Sequence, residues 1–159
     1  MALEGARPAT RADVSTVAEL VRQGLAELRP GRGGAMFVRR EGPAEPLDAW
    51  VAAALDDASR VIWVGTVDDV VLGALVGRVD LLRGGPPLGV IDALVVDPGA
   101  RGIGVGEAMT DLALAHFSAA GCGGVDATAL PGQRDTKNFF EQQGFTARLL
   151  VVHRRLGDD

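Results

Sequence analysis

The sequence predicts a mixed α/β (α+β) fold with the element order β-α-α-β-β-β-α-β-α-β. Three observations support this prediction. Apolar residues recur at helical spacing after position 10, three runs rich in β-branched residues follow one another between positions 61 and 96, and a glycine-rich turn then leads into a second helical pattern. The chain has 159 residues and 47% hydrophobic content, so we expect residues 1–159 to form a single domain.

The first third of the chain predicts one strand, two helices and a long loop. Residues 3–8 indicate a short edge strand, and Thr10 is a helix N-cap followed three residues later by Asp13. A helix over 11–28 follows, and its apolar face consists of Val14, Val17, Val21, Leu25 and Leu28. Residues 29–46 are rich in proline and glycine, which predicts a mobile loop with a short ordered piece at 36–38. Residues 47–59 predict the second helix.

The rest of the chain predicts a meander followed by alternating elements. Residues 61–67, 70–82 and 88–96 indicate three strands joined by short turns, and therefore antiparallel pairing. A glycine-rich loop over 97–106 precedes a helix over 104–119. Residues 125–130 predict a strand, 133–143 a short helix and 145–156 a final strand.

Composition excludes several classes of function. The net charge of −5 argues against a nucleic-acid binder, which normally presents a basic face. No run approaches about 18 apolar residues, so we expect no membrane span, and the first residues lack the apolar core of a signal peptide. A single cysteine, Cys122, and two histidines, His116 and His153, disfavour a zinc site, so we expect no metal. A cytoplasmic protein is the expectation, and a homodimer remains open.

The glycine-rich loop is the strongest candidate for a binding site. A strand, a glycine-rich turn and a helix start make an anion site, because main-chain N–H groups and the helix dipole favour negative charge there. A Walker loop is excluded, since no Gly-Lys-Ser/Thr follows. A dinucleotide-binding fold expects its glycines near the first strand, whereas these come after a meander.

The loop and its surroundings resemble a known family. The pattern Arg101-x-x-Gly104-x-Gly106, preceded by Leu94-x-Val96-x-Pro98, resembles the acyl-CoA loop of the GNAT superfamily of N-acetyltransferases. The segment over 139–145 resembles the family's second signature, an aromatic-Glu-x-x-Gly-Phe motif, and the element order matches its fold over nearly the whole chain. The resemblance implies a GNAT-type fold, with a twisted, mainly antiparallel mixed sheet of about six to seven strands flanked by four helices.

The resemblance also implies a cofactor and its contacts. Acetyl-CoA would lie between two splayed strands, with its pantetheine arm on the main chain of Leu94, Val95 and Val96. The pyrophosphate would be bound by the main chain of Arg101, Gly102, Ile103, Gly104, Val105 and Gly106. For the Arg101 side chain, a direct charge contact and no contact at all both remain open. The loop could also hold the diphosphate of another nucleotide.

The implied reaction moves an acetyl group from acetyl-CoA to a primary amine of a small molecule or peptide, by direct attack in a ternary complex. Such a reaction needs a base for the ammonium proton. Asp92 is the candidate, because it interrupts the apolar run 90–96 and alternates in phase with Leu94 and Val96. The alternative is a carboxylate that pairs with an arginine such as Arg78.

Two further positions follow from the resemblance. Phe140 stands where many members have the tyrosine that protonates the leaving thiolate, and this sequence contains no tyrosine. Gln133 stands where many members place an asparagine near the pantetheine arm. The missing hydroxyl keeps a second function open, a GNAT-like acyl-CoA-binding sensor or regulatory domain with little turnover.

Overall fold

The computed structural model describes residues 3–157, and its central feature is one five-stranded sheet. The strands are β1 (Glu4–Pro8), β2 (Arg60–Val67), β3 (Val70–Asp80), β4 (Leu88–Val96) and β5 (Gly124–Ala127). The helices are α1 (Val14–Leu28), α2 (Gly34–Arg40), α3 (Leu47–Asp56), α4 (Val105–Ala119) and α5 (Arg134–Gln142). Short 3₁₀ turns span Arg11–Asp13 and Pro98–Ala100. None of the helices within residues 3–157 is both long and apolar enough to cross a membrane.

The strands lie in the order in which they occur along the chain. β1 to β4 pair antiparallel, and β5 adds parallel to β4. The short turns that the sequence predicts after β2 and β3 account for the meander, because parallel neighbours would need a crossover connection of about a dozen residues or more. The predicted mixed α/β fold and its mainly antiparallel sheet are therefore confirmed.

Helices cover both faces of the sheet, and each face has its own apolar core. On one face α1 and α3 bury Val17, Val21 and Val51 against β2, β3 and β4. On the other face α4 buries Met109 and Phe117. The helical apolar face predicted from the spacing of valines in α1 is the face that packs on the sheet.

Three element predictions need correction. Residues 145–156 form no strand, so within residues 3–157 the sheet has five strands rather than six to seven. In the predicted loop over 29–46, the short ordered piece expected at 36–38 is part of a longer helix, α2, which brings the α-helices of the described chain to five rather than four. Gly33, with φ of 74°, supplies the left-handed residue from which α2 begins. The first helix opens with a 3₁₀ turn and becomes α-helical only at Val14.

Candidate active site between strands β4 and β5

A cleft opens where β4 and β5 part. The two strands pair only from Leu88 opposite Gly124 to Ile91 opposite Ala127, and beyond Ile91 the remainder of β4 has no partner on that side among the described residues. The cleft has a volume of about 670 Å³, and α1, the 101–107 loop and the start of α5 complete its walls. A splayed pair of strands, as the resemblance implied, is therefore present at this point of the sheet.

The pairing of β4 changes at Asp92. Gly77 lies opposite Ile91 and Val76 lies opposite Ala93, so Asp92 is an extra residue that forms a β-bulge. A bulge shifts the alternation of side chains by one position. Ile91 accordingly packs in the α4 core, whereas Ala93 packs in the α1–α3 core.

The bulge overturns one sequence prediction. We expected the Asp92 side chain to share a face with Leu94 and Val96, but these two pack against the α4 core. The Asp92 carboxylate instead accepts a hydrogen bond from Nη1 of Arg78, a residue outside that core. Period-two alternation fails at a bulge because two residues of one strand then face one residue of its neighbour.

Burial and a guanidinium act on Asp92 in opposite directions. Its side chain is only 21% exposed, and burial raises the pKa of the carboxyl despite the opposing attraction of Arg78. Arg78 is shared, because its Nε also donates to Asp80 Oδ1 at 2.9 Å. Asp92 is thus both a partner of Arg78 and a carboxylate that lines the cleft, and its pKa lies above the ordinary value of an aspartate.

The glycine-rich loop presents main-chain donors to the other end of the cleft. Gly102 and Gly104 have φ values of 80° and 96°, which other residues rarely adopt. None of the N–H groups from Arg101 to Glu107 donates to another main-chain or side-chain group of the described chain. They lie at the N-terminus of α4, a helix of 15 residues, where the helix dipole favours an anion.

The side chain of Arg101 is engaged within the protein. Its Nη2 donates to Glu27 Oε1 and Oε2 at 3.0 and 2.8 Å, and its Nε donates to the Val96 carbonyl at 3.0 Å. Both Arg101 and Glu27 are about half exposed. These bonds connect the end of α1 to the end of β4 through the Arg101 side chain.

Helix α5 forms the wall opposite β4. Phe140 is buried and its ring centroid lies 5.1 Å from that of Phe145, so an apolar ring occupies the position where the resemblance implies a hydroxyl. Gln133 precedes the helix, and its Oε1 accepts a hydrogen bond of 3.0 Å from the Leu130 N–H. That bond fixes the side chain and leaves the Nε2 donors available to the cleft.

The cleft brings together nearly all the residues singled out from the sequence. Its lining includes Asp92, Leu94, Val95, Val96, Arg101, Gly102, Gly104, Val105, Gly106, Gln133 and Phe140. Ile103 is absent from the lining, and its side chain is exposed. These residues share one cleft because the glycine-rich loop follows β4 directly in the chain and β4 lies beside β5 in the sheet.

A second cavity, of about 280 Å³, was not foreseen. It shares Asp92 and Pro43 with the cleft and is also lined by Trp50, Arg60 and Arg78. The Arg60 guanidinium stacks on the Trp50 ring, 4.9 Å from the centroid. Register alone sets Arg60 opposite Arg78 across β2 and β3, and no sequence motif marks that pairing.

Across residues 3–157, no three His, Cys, Asp or Glu side chains approach one another closely enough to bind an ion.

Comparison with known proteins identifies the class. The chain is a mixed α/β protein whose cleft opens between two parallel strands beside a glycine-rich helix start. The sequence profile of the acetyltransferase (GNAT) family matches residues 25–145, and the chain belongs to this family. The match covers the cleft, the glycine-rich loop and α5. A search of curated protein sequences gives no match.

Solved structures show the same fold at low sequence identity. A putative acetyltransferase from Agrobacterium tumefaciens is 21% identical, with a TM-score of 0.73 over 96% of this chain and 99% of that one. AAC(6')-Iy, in complex with the bisubstrate analog CoA-S-monomethyl-acetylneamine, is 16% identical, with a TM-score of 0.73 over 97% and 99%. A ribosomal-protein-alanine N-acetyltransferase from Brucella melitensis is 17% identical, with a TM-score of 0.71 over 98% and 100%.

Proposed function

We propose that the protein is an N-acetyltransferase that moves an acetyl group from acetyl-CoA to a primary amine of a small molecule or peptide. One observation carries the proposal. The cleft runs without interruption from the free N–H groups of the glycine-rich loop to Asp92, where it meets the second cavity. A donor and an acceptor could therefore enter from different sides and meet beside a carboxylate.

The residues that line the cleft are suited to bind acetyl-CoA, the acetyl donor. The unpaired N–H groups between Arg101 and Glu107 supply several parallel donors for a diphosphate, and α4 directs its positive end toward them. The unpaired side of β4 around Leu94 to Val96 offers main-chain groups to the amides of the pantetheine arm. When bound, acetyl-CoA supplies the reactive thioester, and the chain positions it without covalent attachment.

The second cavity is the proposed binding site of the acceptor amine, because Asp92 lines it as well as the cleft. In this arrangement Asp92 takes a proton from the ammonium group, directly or through water, and leaves a neutral amine that can attack the thioester carbonyl. The raised pKa of Asp92 makes it a better proton acceptor than an exposed aspartate. Arg78 holds the carboxylate in place between the two cavities.

The leaving group has no tyrosine to protonate it. Phe140 is apolar and the sequence contains no tyrosine, so the proton comes from water or another donor, or the thiolate leaves unprotonated. A thiol with an ordinary pKa of about 8.5 is a fair leaving group near neutral pH, so turnover does not require the missing acid. The same observation favours the second candidate, an acyl-CoA-binding sensor with little turnover.

Two measurements test the proposal. Melting curves with CoA, NAD and ATP establish the ligand, since a ligand at about 100 times its Kd adds about 2.7 kcal/mol to folding stability. Acetyl-CoA with a panel of amines, followed by thiol release, then separates enzyme from sensor. We expect stabilisation by CoA alone and acetylation of at least one amine. Stabilisation without turnover on any amine supports the sensor, and no response to CoA rejects both functions.

A further inference from the structure

The charged side chains that line the second cavity differ in whether they have an ionic partner. The Asp92 carboxylate is hydrogen-bonded by Arg78. Glu41 Oε1 accepts a hydrogen bond of 3.0 Å from Arg40 Nη1. Within residues 3–157, the Arg60 side chain forms neither a hydrogen bond nor an ion pair, and its one close contact is with an aromatic ring. The cavity therefore contains a guanidinium whose N–H groups are free.

The Arg60 guanidinium is held in place without the use of its hydrogen-bond donors. It lies over the Trp50 ring, 4.9 Å from the centroid, and the ring stabilises the cation through its face. A guanidinium presents five N–H donors in a planar fork that matches the oxygens of a carboxylate or phosphate. Because stacking already restricts the side chain, Arg60 loses little further freedom when it binds such an anion.

Two arginines face each other across the sheet at this cavity. Arg60 on β2 lies directly opposite Arg78 on β3, and like charges in that arrangement destabilise a sheet. Arg78 is compensated, because it bonds the carboxylates of both Asp80 and Asp92. Arg60 has no such bond within residues 3–157. An anionic group on a bound ligand would pair with Arg60 and offset the remaining repulsion.

The second cavity offers complementary groups to both ends of a zwitterion. Its volume is about 280 Å³, and the positive charge of Arg60 opposes the rise in the pKa of Asp92, so the two groups are near each other. We propose, on the basis of the acetyl transfer proposed above, that the acceptor is a small amine that also carries a carboxylate or phosphate, as an amino acid does. Its ammonium group lies at Asp92 and its anionic group binds Arg60. A second positive charge on the acceptor would meet Arg60 and weaken binding.

The anionic group orients the acceptor and takes no part in making or breaking bonds. Asp92 takes the ammonium proton, the amine nitrogen bonds to the acetyl carbon, and the thioester C–S bond breaks to release the CoA thiolate. Arg60 is thus a residue that determines specificity.

Matched acceptors and one substitution test the anion site. The panel contains the common amino acids and phosphoethanolamine, each beside the amine that lacks the anionic group, such as phenylalanine beside phenethylamine. We expect at least one anionic member to have a kcat/KM about 10- to 100-fold above that of its neutral counterpart, the usual effect of a hydrogen bond between charged groups. Arg60→Gln should remove this preference and leave kcat/KM for the neutral amine within about threefold. Arg60→Lys should restore part of it.

A control variant separates the site from net charge. Arg83→Gln removes an exposed arginine between β3 and β4 that lines neither cavity, and both rates should be unchanged. If Arg60→Gln lowers kcat/KM equally for the anionic and the neutral amine, Arg60 only supports the structure and the proposal is wrong. The proposal is also wrong if no anionic amine is preferred over its neutral counterpart and none binds.

Calorimetry distinguishes the anion site from the acetyl transfer on which the proposal rests. The same amines are titrated into protein saturated with CoA, which carries no acetyl group and permits no turnover. We expect an anionic amine to bind, and Arg60→Gln to weaken its Kd by about 10-fold or more. Such binding without acetylation of any amine supports the anion site and rejects the transferase. Acetylation of neutral amines with no effect of Arg60→Gln supports the transferase and rejects the anion site.

Discussion

Replacing Asp92 with asparagine separates the chemistry of the carboxylate from its packing. The amide has nearly the same shape, and its oxygen can still accept a hydrogen bond from Arg78. We expect kcat/KM for the best acceptor to fall by about 10²–10⁴-fold, the usual contribution of a positioned general base. The melting temperature should not fall at neutral pH, because burial raises the pKa of Asp92 and the ionised carboxylate therefore costs the folded state free energy.

The same shift sets the sign of the pH dependence. The folded-state pKa of Asp92 lies above its ordinary value, so this group stabilises the fold at low pH, and the contribution is lost as the pH rises through the folded pKa. Activity changes in the opposite direction, since the wild type gains its base as the proton leaves. Asp92→Asn should remove both dependences.

Thiol release under kcat/KM conditions and melting curves, each recorded from about pH 5 to pH 9, measure the two effects. Asp80→Asn is the matched control. It removes the other carboxylate on Arg78, and Asp80 lines neither cavity, so turnover should change little. If Asp92→Asn keeps turnover within about threefold of wild type between about pH 6 and pH 9, the proton leaves by another route and the assignment of the base is wrong.

Three other predictions follow from contacts in the structure. Phe140→Tyr should raise turnover or leave it unchanged, and a folded, CoA-binding variant with almost no activity would refute the proton-donor analogy. Gly89→Ala should cost about 1–3 kcal/mol of stability in denaturant titrations, because its Cβ would lie 2.6 Å from the Phe117 ring, whereas Gly84→Ala, with open space, should not. Arg101→Gln should leave the calorimetric Kd for CoA within about threefold, because the proposed contacts to CoA come from main-chain groups and the side chain is engaged with Glu27; a larger loss would assign the side chain to the diphosphate.

The sequence by itself determined the parts of this protein that depend on local physics. Short turns between β-branched runs specify an antiparallel meander, and a meander places its strands side by side in chain order. Gly102 and Gly104 identify the loop because their backbone conformations are open to few other residues. Asp92 stands out because it interrupts an apolar run. A buried carboxylate is costly without a partner, so the sequence alone indicates that this residue has a specific partner or function.

Tertiary structure decided what depends on residues far apart in the chain. The bulge at Asp92 follows from the register between β3 and β4, and it turns the side chain toward Arg78 rather than to the face of Leu94. Arg60 joins the same cavity only through cross-strand pairing. Residues 145–156 have the composition of a strand, yet they pair with no strand of the described chain, because pairing depends on which sheet edge the fold brings beside them. Hydrophobic pattern shows that a segment needs burial, whereas only the assembled sheet shows whether one chain can supply it.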